Sequence, residues 1–305
     1  MFVVHGWPPT PYNVRMNPAF KTVGLIGKYK NPEIAQPLLK VGALLTKRGV
    51  KVLVDPLTAS YTHDNGYLVL PLEEIGRSAD LVVVLGGDGT MLNIACALAL
   101  HDIALVGINQ GRLGFLTDIS VDTMLETLDA ILEGRYVTEQ RMMLESEVLR
   151  EGRSVFKACA LNDAVISKGG EGSMIEFEVK IDDRFLYALR GDGLVVATPT
   201  GSTAYALSSG GPIVHPALSV MALVPICPHT FSSRPIVISS DSAVEIIINH
   251  GSGARVHLDN HAHAELREHD RIVIKRAARA ARLLHPAGHD YYNMLRAKLH
   301  WTELY

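Results

Sequence analysis

The first half of the chain alternates apolar, strand-like runs with helix-like segments, and this alternation constrains the fold more than any other feature. Thr22–Gly27, residues 81–85 and residues 104–108 are short apolar runs of the kind that form buried parallel strands. Residues 32–48 carry apolar side chains at helical spacing, and Gly49 ends that segment. Strand, helix and strand in this order predict an open, largely parallel sheet flanked by helices.

The second half changes character between about residues 142 and 278. Its segments are short and alternating, and Gly, Asn or Asp turns separate them, as at residues 174–181 and 271–275. This pattern predicts antiparallel β-structure. Near the end, Asp290 can cap a helix over residues 291–298. We therefore expect an α/β N-terminal domain followed by an all-β C-terminal domain, with the last helix returning to the first domain.

The expected domain boundaries follow from these patterns. The α/β domain spans residues 16–141, the β-rich domain spans residues 142–284, and residues 285–305 form a C-terminal segment that packs on the first domain. Residues 1–15 are rich in proline and show no periodicity. We expect them to be a disordered extension, or a mis-assigned start in which translation begins at Met16.

Composition argues against several classes of protein. The chain has 305 residues, 48% of them hydrophobic and 20% charged, with a formal net charge of −3. No apolar run approaches the roughly 18 residues of a membrane span, and no basic region precedes an apolar core as in a secretory signal. Charges of both signs are interspersed, which gives no electrostatic footprint for nucleic acid. We expect a soluble cytoplasmic protein with neither a membrane nor a nucleic-acid partner.

The cysteines and histidines do not predict a metal site. The cysteines are odd in number, widely separated and flanked by apolar residues, so we expect reduced core thiols. They are Cys96, Cys159 and Cys227. Four histidines crowd one segment, but no cysteine lies near them and the surrounding residues alternate like a strand entering a turn. They are His257, His261, His263 and His269.

A glycine-rich acidic turn, Gly86-Gly87-Asp88-Gly89-Thr90, follows the strongest predicted strand. Open α/β sheets present ligands at such strand ends. Glycines let the backbone approach phosphate oxygens, and a helix beginning at Thr90 would favour an anion. An aspartate is costly in a phosphate-binding loop unless it ligates a metal or accepts a proton from an attacking hydroxyl. Asp88 is therefore a candidate for either role, unless the turn is chosen only for its shape.

Three common nucleotide motifs are absent. The sequence has no Gly-x-x-x-x-Gly-Lys-Ser/Thr loop, and it has neither the His-Arg-Asp nor the Asp-Phe-Gly element of protein kinases. It also lacks the Gly-x-Gly-x-x-Gly run of dehydrogenases, which weakens a hydride-transfer function.

Three further segments supply polar groups that suit a nucleotide. Residues 198–205 combine small hydroxyl side chains, a glycine and an aromatic ring, which suits a base and its ribose, although a turn and a capped helix would look the same. Asn162 and Asp163 form an amide–carboxylate pair suited to a ribose diol, or else a simple turn. Arg112 could neutralise phosphate and Phe115 could close over a ligand, or both could belong to a tight loop.

These segments, in this order, resemble the NAD kinase family over about residues 21–301. The likeness is carried by residues 86–90, 109–118, 162–163, 192–216, 224–230 and 233–235. The glycine–acid turn alone would also suit diacylglycerol kinases, sphingosine kinases or phosphofructokinases. Residues 198–205 and the segment ending at Pro235 are what single out the NAD kinases.

The resemblance implies transfer of the γ-phosphoryl group of ATP to the 2′-hydroxyl of the adenosine ribose of NAD, giving NADP. It implies Asp88 as the general base, a divalent metal ion (usually Mg²⁺) with ATP, and a homo-oligomer, either dimer or tetramer. Ser173 would contact the substrate of a neighbouring subunit. The other implied binding residues are Gly89, Asn162, Asp163, Arg190, Asp192, Thr203, Ala204, Tyr205, Ser208 and His261. Asp259-Asn260-His261 departs from the family, which more often has Asp-Gly-Gln or Asp-Ser-Gln there.

Two other functions stay open on the sequence. A related lipid or sugar-phosphate kinase could use the same glycine–acid turn, although a lipid kinase should expose an apolar surface and the composition gives no sign of one. A non-catalytic NAD-binding regulator could keep Asp88 as a structural residue. Such a regulator would bind NAD without producing NADP.

Overall fold

The computed structural model describes residues 20–28, 32–62, 66–111, 113–169, 174–230, 232–259 and 261–301. The chain divides into two compact units. Of the described residues, the first unit contains those within 20–91, 103–139 and 282–301, and the second contains those within 92–102 and 140–281. The expectations stated above for residues 1–15, Arg112 and Ser173 lie outside the described residues.

The first unit contains an eight-stranded sheet with helices between its strands. Its strands are β1 (Thr22–Gly27), β2 (Lys51–Val54), β3 (Leu68–Val69), β4 (Leu81–Gly86), β5 (Ala104–Asn109), β6 (Ile119–Ser120), β7 (Tyr136–Arg141) and, numbered in chain order, β20 (Ala281–Pro286). The helices are α1 (Ala35–Lys47), α2 (Pro56–Thr62), α3 (Leu72–Ser78), α5 (Met124–Leu132), α7 (Tyr291–Leu299) and the start of α4 (Asp88–Leu98), whose residues from 92 onward belong to the second unit. A short 3₁₀ turn lies at Pro32–Ile34, and a second one, Ala99–His101, belongs to the second unit.

The strand order of this sheet is β3-β2-β1-β4-β5-β20-β7, with β6 paired to β5. The pairings from β3 through β20 are parallel. The order reverses direction between β1 and β4, which is the topological switch point where open α/β sheets bind ligands. The turn after β4 is therefore placed where the fold itself favours a ligand.

Apolar side chains at helical spacing hold α1 in the first unit. Leu38, Val41 and Leu45 are fully buried in the same apolar cluster as the strand residues Leu25 and Val83. The last helix, α7, is capped as its sequence predicts. The carboxylate of Asp290 accepts hydrogen bonds from the backbone N–H groups of Tyr292 and Asn293 at 2.8 and 3.2 Å.

The second unit is built from two antiparallel six-stranded sheets. The first has the order β15-β14-β13-β10-β17-β18 and the second the order β12-β11-β16-β19-β8-β9. The strands are β8 (Leu144–Arg150), β9 (Arg153–Ala160), β10 (Asp163–Ser167), β11 (Ile175–Ile181), β12 (Arg184–Gly191), β13 (Gly193–Ala197), β14 (Val220–Ile226), β15 (Ile236–Ser239), β16 (Val244–His250), β17 (Arg255–Leu258), β18 (Ala262–Glu265) and β19 (Arg271–Arg276). A 3₁₀ turn (Thr200–Thr203) leads into the short helix α6 (Tyr205–Ser208).

One apolar core lies within this second unit and takes side chains from both sheets. Ala164 and Ile166 enter it from β10, and Phe177 and Ile246 enter it from the other sheet. Because strand side chains alternate between faces, Val165 of β10 lies in a separate, smaller cluster on the opposite face of its sheet. Asp163 and Ser167 of β10 lie on that same opposite face.

The fold class predicted from the sequence is confirmed: an α/β unit with a largely parallel sheet, an antiparallel β unit and a final helix. Two local expectations are wrong. Helix α4 begins at Asp88 rather than Thr90, because the carbonyl of Gly87 already accepts from the N–H groups of Thr90 and Met91. Cys227 is exposed instead of lying in the core. Among the described residues, no helix is long and apolar enough to cross a membrane.

Candidate active site

Asp88 lies in the first turn of α4, directly after β4, and its carboxylate is tied to the loop that follows β5. Its Oδ1 accepts hydrogen bonds from the N–H groups of Leu116 and Thr117 at 3.0 and 3.2 Å and from the Thr117 hydroxyl at 3.0 Å. Its Oδ2 accepts one, from the N–H of Phe115 at 2.8 Å. The turn and the loop are therefore joined through this single carboxylate.

The two carboxylate oxygens of Asp88 differ in their remaining capacity to accept hydrogen bonds. A carboxylate offers about four acceptor positions, two on each oxygen. Three donors already face Oδ1, whereas Oδ2 accepts a single hydrogen bond among the described residues. Oδ2 is thus the atom that retains a lone pair for a substrate hydroxyl or a cation.

The loop that holds Asp88 is itself fixed from two sides. The N–H of Gly114 donates to the carbonyl of Thr117 at 3.1 Å, and a Cβ at position 114 would lie 2.1 Å from Asp88 Oδ1. From the last helix, Lys298 Nζ donates to the carbonyl of Leu113 at 2.6 Å and lies 5.5 Å from the ring centre of Phe115. The position of Asp88 therefore depends on this close packing.

A cavity of about 420 Å³ opens within the second unit. It is lined by Leu92, Asn162, Asp163, Val165, Ser167, Ala204, Tyr205, His257 and Asp259. The lining follows strand alternation: residues 163, 165 and 167 of β10 face the cavity, whereas Ala164 and Ile166 enter the core. The pairing of Val165 with His257 brings the neighbouring strand β17 to the same face.

Asp259 organises the acidic end of this cavity. It has a left-handed backbone conformation (φ 48°), and its carboxylate accepts from three successive N–H groups. The donors are Leu161 at 2.5 Å, Asn162 at 2.8 Å and Asp163 at 3.0 Å. Because Asp259 is bound to the backbone that carries Asn162 and Asp163, it fixes both side chains at the cavity wall.

Two carboxyl groups are therefore close together at the edge of the cavity. Burial, followed by the nearby charge of Asp259, raises the pKa of Asp163 from 3.8 to about 7. Burial also raises the pKa of Asp259, although its three backbone hydrogen bonds oppose that shift. Asp163 is only 7% exposed and can exchange a proton near neutral pH. It can therefore donate a hydrogen bond to a sugar hydroxyl when protonated, or accept one from it when ionised.

Asp163→Asn is expected to flatten the pH dependence of stability between about pH 4 and pH 7. The folded chain keeps the Asp163 proton up to about pH 7, whereas the unfolded chain loses it near 3.8. The folded state binds more protons in this window, so the free energy of unfolding falls as the pH rises through it. The amide variant lacks that fall and should have the higher melting temperature at pH 8.

Circular dichroism melts at pH 5 and pH 8 test this expectation. The control is Asp183→Asn, which changes an exposed carboxyl in the turn between β11 and β12 and should melt like wild type at both values. If Asp163→Asn and wild type lose the same stability between the two pH values, the carboxyl of Asp163 does not titrate in this range.

Residues 198–205, the segment rich in small hydroxyl side chains, also hold the backbone at Leu161 and Asn162 in place. The N–H of Thr198 donates to the carbonyl of Asn162 at 2.8 Å, and its hydroxyl donates to the carbonyl of Leu161 at 2.6 Å. Gly201 lies against the same carbonyl, since a Cβ there would be 2.1 Å from the oxygen of Asn162. Thr198 and Gly201 therefore hold the backbone of residues 161–162 in place, whereas Ala204 and Tyr205 line the cavity.

Several other predicted site residues lie apart from this cavity lining. Arg190 is exposed and faces Glu176 at 3.6 Å, while Asp192 forms an ion pair with Lys168 at 2.8 Å. The hydroxyl of Thr203 donates to the carbonyl of Thr200 at 3.2 Å. Ser208 and His261 are exposed, and neither lines the cavity. Gly89 is exposed in α4, and a Cβ there would meet nothing within 4 Å.

Asp259 was not predicted as a site residue from the sequence, and neither were His257 and Leu92. Asp259 was noted only as part of a departure from the family pattern. In the sequence, Asp259 stands directly after an alternating, strand-like segment. The strand that pairs with this segment lies nearly a hundred residues earlier in the chain, so the sequence does not indicate which groups Asp259 contacts. His257 stacks on His263 with ring centres 5.8 Å apart, so the histidine-rich segment is partly a cross-strand pair.

An open α/β sheet with a glycine–acid turn at its switch point, together with a β unit whose cavity has an amide and carboxyl groups in a largely apolar lining, defines a nucleotide-binding class of protein. Comparison with known proteins narrows this class. Residues 23–136 match the model of the ATP-NAD kinase N-terminal domain, and residues 161–286 match that of the ATP-NAD kinase C-terminal domain. The chain belongs to the NAD kinase family.

Individual relatives agree with this assignment. The NAD kinase of Nitrosomonas eutropha is 55% identical over 285 residues, which cover 93% of this chain and 96% of that protein. The crystal structure of yeast NADH kinase complexed with NADH is similar with a TM-score of 0.86 and 25% identity, covering 95% of this chain and 90% of that one. An NAD kinase from Archaeoglobus fulgidus in complex with ATP gives a TM-score of 0.72 at 25% identity, with coverages of 92% and 98%.

Proposed function

We propose that this chain transfers the γ-phosphoryl group of ATP to the 2′-hydroxyl of the adenosine ribose of NAD, with Asp88 as general base. The O–H bond of the hydroxyl breaks as its proton passes to Asp88 Oδ2, and the oxygen attacks the γ-phosphorus as ADP leaves. The products are NADP, ADP and a proton that Asp88 later returns to water. The observation that carries this proposal is the spare acceptor position of Oδ2 on an otherwise immobilised carboxylate.

The physical chemistry of the reaction matches what the chain supplies. A sugar hydroxyl is a poor nucleophile until a base accepts its proton. The γ-phosphoryl group needs positioning and charge neutralisation more than covalent help. A carboxylate held by four hydrogen bonds does not have to be oriented when the substrate arrives. Preorganisation of this kind lowers the cost of reaching the transition state.

The cavity of the second unit supports the binding of NAD. Asn162 and Asp163 present an amide and a carboxyl for ribose hydroxyls, and Tyr205 offers a ring face for a base. Asp259 positions the first two without being required to touch substrate. We assign further contacts with nucleotide to the remaining residues that the family resemblance or their chemistry indicates: Gly89, Arg112, Phe115, Ser173, Arg190, Asp192, Thr203, Ala204, Ser208 and His261.

Mg²⁺ is the divalent ion expected with ATP. It prefers oxygen ligands and is often bound largely through substrate phosphates. Because the spare position on Asp88 Oδ2 is assigned to the proton of the 2′-hydroxyl, the phosphate oxygens of ATP would hold the ion. When bound with ATP, the ion supplies neutralisation of phosphate charge. The side chains of this chain supply the proton acceptor and the position of the sugar.

We further propose that the chain works in the cytoplasm as a homo-oligomer, either a dimer or a tetramer. The family resemblance supports the homo-oligomer, since it implies a contact between Ser173 and the substrate of a neighbouring subunit. Sedimentation of the purified protein would give the subunit number directly.

The proposed function is tested by mixing the purified chain with NAD, ATP and Mg²⁺ and following NADP with an NADP-specific dehydrogenase. NADP that appears only when ATP is present supports the proposal. Saturable NAD binding without NADP would indicate a regulator or another phosphoryl donor, and polyphosphate would then be tried. If the chain shows neither NAD binding nor turnover, the proposal is overturned. Lipid and sugar acceptors then become the candidates.

A further inference from the structure

Asp118, His285 and His289 form a buried cluster in the first unit, outside the residues assigned to the reaction. Asp118 Oδ2 lies 2.9 Å from Nδ1 of His285 and 2.8 Å from Nδ1 of His289. The two rings stack with their centres 4.0 Å apart. One ligand atom from each residue lies within 4.8 Å of the others, so the three groups converge on one point.

The surroundings orient His285 as a metal-binding histidine is normally oriented. Its Nε2 lies 3.1 Å from a carboxylate oxygen of Glu139, while its Nδ1 faces the cluster. Histidines that bind metals almost always donate their second ring N–H to a carboxylate or carbonyl, which fixes the tautomer and the ring plane. Glu139 and His285 reproduce this outer-shell pair, with Nδ1 left as the inner ligand atom.

Two buried polar atoms of the cluster lack a hydrogen-bond partner among the residues that the structure describes. They are Asp118 Oδ1 and His289 Nε2. The side chain of Asp118 is only 8% exposed, so water does not readily compensate for the missing partner. Buried carboxylate oxygens are normally paired or bound to a cation. Hydrogen bonds between the three residues therefore do not account for the whole cluster.

We propose that Asp118 and the Nδ1 atoms of His285 and His289 bind a transition-metal dication, with Zn²⁺ as the best match. Imidazole nitrogens favour Zn²⁺ and related ions, whereas Mg²⁺ prefers an all-oxygen shell. Bonds of about 2.0–2.1 Å in a tetrahedral site place ligand atoms roughly 3.3 Å apart. The observed separations of 2.8 and 2.9 Å need to widen by about half an ångström, which small ring rotations supply. Each Nδ1–H···Oδ2 bond is replaced by a zinc–nitrogen bond, and the ring proton moves to Nε2 or to solvent.

The site has a structural connection to the reaction. Asp118 directly follows Thr117, whose N–H and hydroxyl both donate to Asp88. His285 belongs to β20, and His289 immediately precedes the cap of α7. An ion at this point would join the loop that holds the general base to the C-terminal helix. It is distinct from the divalent ion that accompanies ATP.

Zinc binding to the full-length chain tests the proposal without an activity assay. The protein is stripped with a chelator, and Zn²⁺ is titrated in competition with a chromophoric chelator. We expect one zinc per chain in wild type and at least a tenfold loss of affinity in His289→Asn. The matched control is His263→Asn, which removes a histidine from the histidine-rich segment of the second unit and should bind zinc like wild type. Loss of zinc with His263→Asn, or unchanged affinity in His289→Asn, would overturn the site.

Cobalt substitution gives a second measurement that uses only the wild-type chain. Co²⁺ in a four- or five-coordinate site with nitrogen ligands absorbs strongly in the visible range, and one equivalent of Zn²⁺ should remove this absorption. An excess of Mg²⁺ should leave it unchanged. A weak spectrum typical of six oxygen ligands, or bleaching by Mg²⁺, would contradict the proposed donor set even if His289→Asn did not fold.

Discussion

Asp88→Asn is expected to lower kcat by about 10²- to 10⁴-fold, because loss of a general base has an effect of this size. The amide matches the carboxylate in shape but cannot accept the proton of the 2′-hydroxyl. Binding of NAD should change little, since the residues assigned to its ribose and base lie in the second unit. The measurement is steady-state NADP formation together with NAD binding by calorimetry.

The same substitution has a structural effect that must be separated from the chemical one. An amide nitrogen in the place of Oδ2 would face the N–H of Phe115, so one of the four hydrogen bonds is lost. The matched control is Asp122→Asn, which changes an exposed carboxyl near the start of α5 and should keep full turnover. Melting temperatures of both variants show how much of any loss comes from stability. Unchanged kcat in Asp88→Asn would remove Asp88 from the role of base.

Gly201→Ala is expected to raise the KM for NAD by at least about tenfold, the factor that corresponds to roughly 1.4 kcal/mol. The new Cβ would lie 2.1 Å from the carbonyl oxygen of Asn162 and 2.5 Å from its carbonyl carbon. Backbone atoms cannot rotate away as a side chain can, and Thr198 already holds that carbonyl by a hydrogen bond. The strain should therefore displace Asn162 and Asp163 from the cavity wall.

The control for Gly201→Ala is Gly152→Ala in the same unit. Gly152 has a φ of 76° and open space around its Cα, so alanine there is strained without touching any neighbour. It should lower stability by about 1–2 kcal/mol while the KM for NAD stays as in wild type. If both variants raise this KM equally, the effect of Gly201→Ala comes from general destabilisation and not from the cavity.

Strand and helix periodicity predicted most of the fold. The apolar runs at β1, β4 and β5 and the helical spacing of α1 are local patterns, so they could be read without knowledge of what packs on them. The start of α4 could not be placed in this way. Asp88 lies in the first helical turn, and its carboxylate accepts hydrogen bonds from a loop almost thirty residues later in the chain. The local sequence does not indicate these long-range hydrogen bonds.

The candidate site was predicted less completely than the fold. Asn162 and Asp163 were identified by their chemistry, and both line the cavity. Asp259 was overlooked because its importance depends on the pairing of β10 with β17. Arg190 and Asp192 were chosen by family resemblance, and both face oppositely charged neighbours in this structure. Side-chain chemistry can be inferred along a chain, whereas convergence of distant segments depends on strand pairing.

The place of β20 in the sheet order has a consequence for the chain while it is being synthesised. This strand lies between β5 and β7, although 139 residues separate Arg141 from Ala281 in sequence. A ribosome adding about 5–20 residues per second needs on the order of ten seconds to cover that distance. During this interval the edge of β5 lacks β20, and unpaired edges are where nascent chains associate wrongly. The eight-stranded sheet can therefore be completed only after β20, the last described strand in chain order, has been synthesised.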